Sequence, residues 1–65
     1  MNITLNGKAH STQVTTVSEL IEENGWKGKP VVIEHNKQAL VASAHANTTL
    51  SEGDVVEVLV LGAGG

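Results

Sequence analysis

The sequence predicts an α+β domain, with one short helix on one face of a mixed sheet of four to five strands. Three features lead there. Segments near both ends of the chain alternate sides with the period of a half-buried strand. The stretch from Thr16 to Gly25 carries both a helix start and a helix stop. Between these lie residue pairs that reverse a chain tightly, Asn6-Gly7 and Gly53-Asp54 among them.

Ile3 and Leu5 alternate with Asn2, Thr4 and Asn6, which reads as the first strand. Asn6-Gly7 tolerates the positive φ angles of a hairpin turn, and a return strand is expected over His10 to Val14, with Thr12 and Val14 on one face. Thr16-Val17-Ser18-Glu19 is a capping box, in which the Thr16 hydroxyl accepts from a free backbone N–H and Glu19 reaches back. Val17, Leu20 and Ile21 share one helical face, while Glu19, Glu22 and Glu23 read as a solvated face, and the acids near the start suit the helix dipole. Asn24-Gly25 stops the helix after about two turns, so packing rather than propensity must hold it.

Gly28-Lys29-Pro30 is a loop, Val31 to His35 a strand, Asn36-Lys37 a turn, and Gln38 to Val41 a short return strand. Ala42 to Asn47 fits either one helical turn capped by Ser43 or an irregular loop. Ser51-Glu52-Gly53-Asp54 is a turn leading into Val55 to Leu61, the strand with the strongest β character. Val56, Val58 and Val60 share one face of it; Val55, Glu57, Leu59 and Leu61 share the other. The expected core is Ile3, Leu5, Val14, Val17, Leu20, Ile21, Val31, Ile33, Leu40, Leu50, Val56, Val58 and Val60.

At 65 residues the chain makes one domain with a thin core. The expected division is a domain over 1–61 and a flexible Gly-rich tail over 62–65. Four lysines and no arginine face seven carboxylates, for a net charge of −3, and Trp26 is the single aromatic residue. Nucleic-acid binding needs a basic patch and stacking platforms, so that class is excluded. The absence of cysteine removes disulfides and thiol chemistry and fits a reducing compartment. No apolar run approaches the about 20 residues of a membrane span, and the first residues lack the basic and apolar regions of a signal peptide. A soluble, cytoplasmic protein that does not touch membranes is expected.

Candidate chemistry is sparse. His10, His35 and His45 have no local zinc-ligand spacing and read as ordinary surface or sheet-edge histidines; no metal, cofactor or catalytic residue is assigned. The remaining feature is the end of the chain, Gly62-Ala63-Gly64-Gly65. Two terminal glycines arise by chance roughly once in two hundred chains at average glycine usage. A tail of small residues can thread a narrow channel, and four extended residues reach roughly 13–14 Å. A strand would anchor it and present its carboxylate to another protein's active site. That carboxylate is inert until joined to AMP, after which sulfide or a persulfide can convert Gly65 to a thiocarboxylate.

The order strand, strand, helix, strand, strand, the Glu52-Gly53-Asp54 turn into a Val-rich last strand, and the Gly64-Gly65 ending together resemble the ubiquitin-like sulfur carriers of the β-grasp fold. Within them the chain is most similar to the ThiS family of thiamine biosynthesis, through Val31-Val32-Ile33-Glu34-His35-Asn36-Lys37-Gln38-Ala39-Leu40. It departs from that family's usual pattern at Val41-Ala42, at His45 and at Ala63, and Ala63 is similar to the tail of the MoaD family of molybdopterin synthesis. The resemblance implies a carrier acted on by partner enzymes. A ThiF-like adenylyltransferase would use ATP to adenylate Gly65, and a ThiG-like thiazole synthase would accept the sulfur. Gly64 and Gly65 match the functional tail. Leu59 and Leu61, opposite the core valines, read either as a docking patch continuing into Gly62 and Ala63 or as cover for a second small cluster under Ala42 to Asn47. The free carrier is expected to be a monomer. Other readings are a binding module with an incidental tail, which tail deletion would spare, and a covalent tag ligated to lysines.

Overall fold

The computed structural model describes residues 1–62; Ala63, Gly64 and Gly65, and with them the expectation of a flexible tail, lie outside the described residues. The elements are β1 (Asn2–Leu5), β2 (Lys8–Ser11), α1 (Val17–Glu23), β3 (Val31–His35), β4 (Gln38–Leu40), a 3-10 helix (Ala42–Asn47) and β5 (Val55–Val60). They form one five-stranded sheet in the order β2-β1-β5-β3-β4. β1 and β5 run parallel and the other pairs are antiparallel. The first and last strands are therefore neighbours at the centre. With α1 laid on one face, this is the β-grasp arrangement.

Both hairpins are set by their turn residues. Asn6 and Gly7 have φ of 51° and 80°, and Asn36 and Lys37 have 49° and 70°. Two left-handed residues in succession are what a type I′ turn requires, and its twist matches that of the strands. Such a turn leaves no slack, so β2 pairs from Lys8 opposite Leu5 rather than starting at His10 as the sequence suggested. It also ends earlier, at Ser11. Thr12, beyond it, is buried, and its N–H donates to the Met1 carbonyl at 2.9 Å.

The capping box of α1 forms as read. The Thr16 hydroxyl accepts from the Glu19 N–H, and the Glu19 carboxylate accepts from the Thr16 N–H. The helix ends at Asn24, whose side-chain amide donates to the Leu20 carbonyl at 2.8 Å. Ala42–Asn47 is the 3-10 helix, entered from extended backbone at Val41 with no side-chain cap, so Ser43 has no capping role. The loop after it is tied to the helix start, where Val17 N–H donates to Thr48 and Leu50 N–H to Thr15.

Among the described residues eight hydrophobic side chains form the buried core: Ile3, Leu5, Val17, Leu20, Ile21, Ile33, Leu50 and Val56. All belong to the expected set. Val14, Val31, Leu40 and Val58 are only half-buried against it, joined by Met1 and Trp26, which the sequence reading left out. Val60 is also half-buried, since it sits at the end of the sheet where cover thins.

Lys37 occupies a left-handed position that costs a side-chain-bearing residue about 1–2 kcal/mol. Lys37→Gly should therefore stabilise the fold by about 0.5–1 kcal/mol after the entropy glycine adds to the unfolded chain. A higher urea midpoint at unchanged slope is the expected result.

Candidate functional site

The candidate site is the end of β5, where the expected tail begins, and the sheet face beside it. β5 lies between β1 and β3, and two asparagine turns extend its hold beyond ordinary strand pairing. Asn36 N–H donates to the Val55 carbonyl and Val55 N–H donates back to Asn36 Oδ1, both at 2.8 Å. On the other side Asn6 N–H donates to the Val56 carbonyl at 2.9 Å, and Val58 N–H donates to Asn6 Oδ1 at 2.7 Å. β1 has ended by then, so this side chain takes over the ladder. Both asparagines were readable as turn residues; that each would use its side chain on a distant strand carries no local signal.

The start of β5 is fixed by Asp54, which is buried. Its carboxylate lies 2.7 Å from His35 Nε2, accepts from Asn36 Nδ2 at 3.2 Å and accepts from Ser51 N–H at 2.9 Å. Burial is the largest single influence on Asp54 and opposes its ionisation. The bonds from His35, Ser51 and Asn36 together outweigh it and hold the pKa below the ordinary value. The reading of Asp54 as a mere turn residue, and of His35 as an ordinary edge histidine, is corrected here: the side chains are 12% and 17% exposed, and buried Asp54 pairs with half-buried His35.

A second pair joins β2 to the helix. His10 Nε2 lies 2.9 Å from Glu23 Oε1, and the Thr12 hydroxyl also donates to that carboxylate, at 2.8 Å to Oε2. The bond from His10, then that from Thr12, lowers the Glu23 pKa. Glu23 is thus a tie between elements while it stays exposed on the acidic helix face. Glu19 is lowered in turn by the Thr15 N–H, the Thr15 hydroxyl and the Thr16 N–H. His45 is half-buried, and its Nε2 is enclosed without a hydrogen-bond partner among the described residues. Among those residues no three His, Asp or Glu side chains come together as a metal site, and no helix is long and apolar enough to cross a membrane.

At its far end β5 gives way to the tail. Leu61 N–H still donates to the Pro30 carbonyl at 2.8 Å, one bond past the last strand residue, and Gly62 then turns with φ of 65°. Leu59 and Leu61 are 60% and 45% exposed. They do not cover a cluster under Ala42 to Asn47, which disposes of that alternative. Val32 stands directly opposite Leu59 and is also exposed. Val41, expected in the short return strand, lies past the end of β4 at Leu40 and is exposed. Of the expected docking residues, Leu59 and Leu61 are thus exposed at one end of the open face, and Gly62 lies in the turn that follows. Ala63, Gly64 and Gly65 lie outside the described residues. Val32 was missed because its place beside Leu59 depends on pairing with a distant strand.

Comparison with known proteins agrees with this geometry. The ThiS family model matches residues 2–65, so the match runs through the tail. The sulfur carrier protein ThiS of Thermus thermophilus is 36% identical over 61 residues, covering 94% of this chain and 95% of that protein. The crystal structure of the thiamine biosynthesis protein ThiS from Geobacter metallireducens superposes with a TM-score of 0.83 at 33% identity, covering both chains fully. A solution structure of a thiamine biosynthesis protein from the same organism gives 0.80 at 33% identity, covering all of this chain and 88% of that one.

The lowered carboxylates fix the sign of the pH dependence. Each has a folded pKa below its unfolded value, so its stabilisation is present above the ordinary carboxylate range and is lost as pH falls through the folded pKa. The urea midpoint should hold above about pH 5 and fall below it. Asp54→Ala should cost about 1–3 kcal/mol near neutrality by taking the acceptor from His35, from Asn36 Nδ2 and from the Ser51 N–H, and should make the acid fall shallower. With the sequence, the sheet order and the shared structure in agreement, the chain belongs to the ThiS family.

Proposed function

We propose that the protein is the sulfur carrier of thiamine biosynthesis and is the substrate, not the catalyst, of the reactions it takes part in. The observation that carries this reading is the match to the ThiS family through Gly65, joined to a central strand that anchors the root of that same segment. A ThiF-like adenylyltransferase supplies the first step. The Gly65 carboxylate attacks the α-phosphorus of ATP and pyrophosphate leaves, giving an acyl adenylate. Sulfide attacks the acyl carbon and AMP leaves, giving the thiocarboxylate; a persulfide donor reaches the same product with a thiol as reductant. A ThiG-like thiazole synthase then accepts the sulfur. ATP and reduced sulfur suit a cytoplasmic setting, and the carrier itself needs no bound cofactor.

The domain's part is mechanical. It holds the tail root still while leaving the last residues without side chains that would jam a narrow channel. The exposed pair Leu59 and Leu61, beside that root, is read as the start of the docking surface, which Gly62 and Ala63 continue toward the partner's site.

Incubation with a ThiF-type enzyme, ATP and a sulfur donor should raise the intact mass by the difference between sulfur and oxygen, located at Gly65 by fragmentation. Removing Gly64 and Gly65 should abolish the gain and leave the fold's stability unchanged. A full-length chain that never gains sulfur beside an enzyme active on its own carrier would refute the reading. Leu59→Glu, at an exposed position, should leave folding intact and lower adenylation kcat/KM about tenfold or more, as loss of a central contact does.

A further inference from the structure

The open face of the sheet carries a second row next to the apolar one. The β3–β5 register sets Glu34 directly opposite Glu57, and both are exposed. Side chains so opposed have Cβ atoms about 4.5–5.5 Å apart, and like charges there work against the sheet. None of the ion pairs among the described residues includes either acid. Together with Val32 and Leu59, the two glutamates wall a shallow groove between β3 and β5. In isolation this face is unfavourable twice, exposing an apolar row and opposing two carboxylates. Both penalties are relieved by one kind of occupant, a surface that lays apolar side chains on Val32 and Leu59 and sets a cation between Glu34 and Glu57.

A second copy of the chain does not fit, since facing sheets would bring four carboxylates together on molecules that are each already negative. Position favours the activating enzyme. Glu57 precedes Leu61 by four residues on one strand, so the acid pair lies about 13 Å from the tail root and within the footprint of any protein that swallows the tail. A guanidinium suits the pair better than an ammonium, because its planar fork of five donors can serve two carboxylates at once.

We propose that Glu34 and Glu57 form a paired-acid recognition element for the adenylating enzyme, filled by an arginine of that enzyme while its apolar side chains cover Val32 and Leu59. This rests on the carrier reading above. The apolar row supplies contact area; the acid pair sets register along the strands and selects the partner.

The test compares Glu34→Gln, Glu57→Gln and the double variant with Leu59→Glu, measuring affinity for a ThiF-type adenylyltransferase with ATP at low and high salt. Each Gln variant removes a repulsion, so its melting temperature should hold or rise. The double variant should bind about tenfold more weakly at low salt and lose most of the salt dependence of the wild type. If it binds like the wild type while Leu59→Glu binds poorly, the docking surface stands and the acid-pair proposal is overturned. If neither change affects binding, the docking surface itself is refuted. Should the double variant self-associate in sedimentation with unchanged enzyme affinity, the acids serve to keep copies apart and the proposal is again overturned.

Discussion

The buried carboxylate of Asp54 is the constraint on which the remainder of the architecture depends. A carboxylate loses much of its hydration on burial, and that loss must be offset by donors held in place. Here the donors come from three directions: His35 at the end of β3, Asn36 in the turn after it, and the Ser51 N–H of its own turn. Satisfying one acid therefore locks the turn before β5 to the hairpin beyond it. Once that start is fixed, the register of β5 against β3 follows. So do the inward set of Val56 and Val58 and the outward set of Glu57, Leu59 and Leu61. The exposed apolar face of the sheet is in this sense a consequence of where one buried acid finds its partners.

Two asparagines complete the arrangement by the same physical device. In a left-handed turn position the backbone of Asn6 or Asn36 reverses the chain while its side-chain amide is free to serve as a detached piece of strand. Each covers backbone groups of β5 that its own short hairpin cannot reach. A domain of 65 residues has little apolar area to spend on longer strands, so polar bonds of this kind carry part of the task of holding the central strand.

Much of this was legible in the sequence because it depends on local rules. The helix limits follow from the Thr16–Glu19 box and the Asn24-Gly25 stop. The fully buried core follows from periodicity at Ile3, Leu5, Val17, Leu20, Ile21 and Val56. The exposure of Leu59 and Leu61 follows from the alternation of β5. What was not legible depends on long-range pairing. Nothing near His35 announces an aspartate 19 positions later, nor near Glu23 a histidine and a threonine from the first hairpin. The misplaced start of β2 came from leaving slack in a turn that has none. The 3-10 helix starts after Val41 with no capping side chain, so the cap that Ser43 suggested was a false start signal.

The placement of β5 has a bearing on when the molecule becomes usable. Its pairing with β1 joins residues some fifty positions apart, so the centre of the sheet stays empty until the final element arrives. Contacts of such long sequence separation are slow to form and cannot be approached piecemeal. A chain caught partway through synthesis or partway through folding has neither its middle strand nor a root for its tail. The segment that would take up sulfur and the surface that would admit it to an enzyme thus mature in a single event. On the proposed reading, an activating enzyme that requires both would pass over every immature form, and sorting finished molecules from unfinished ones would need no separate inspector.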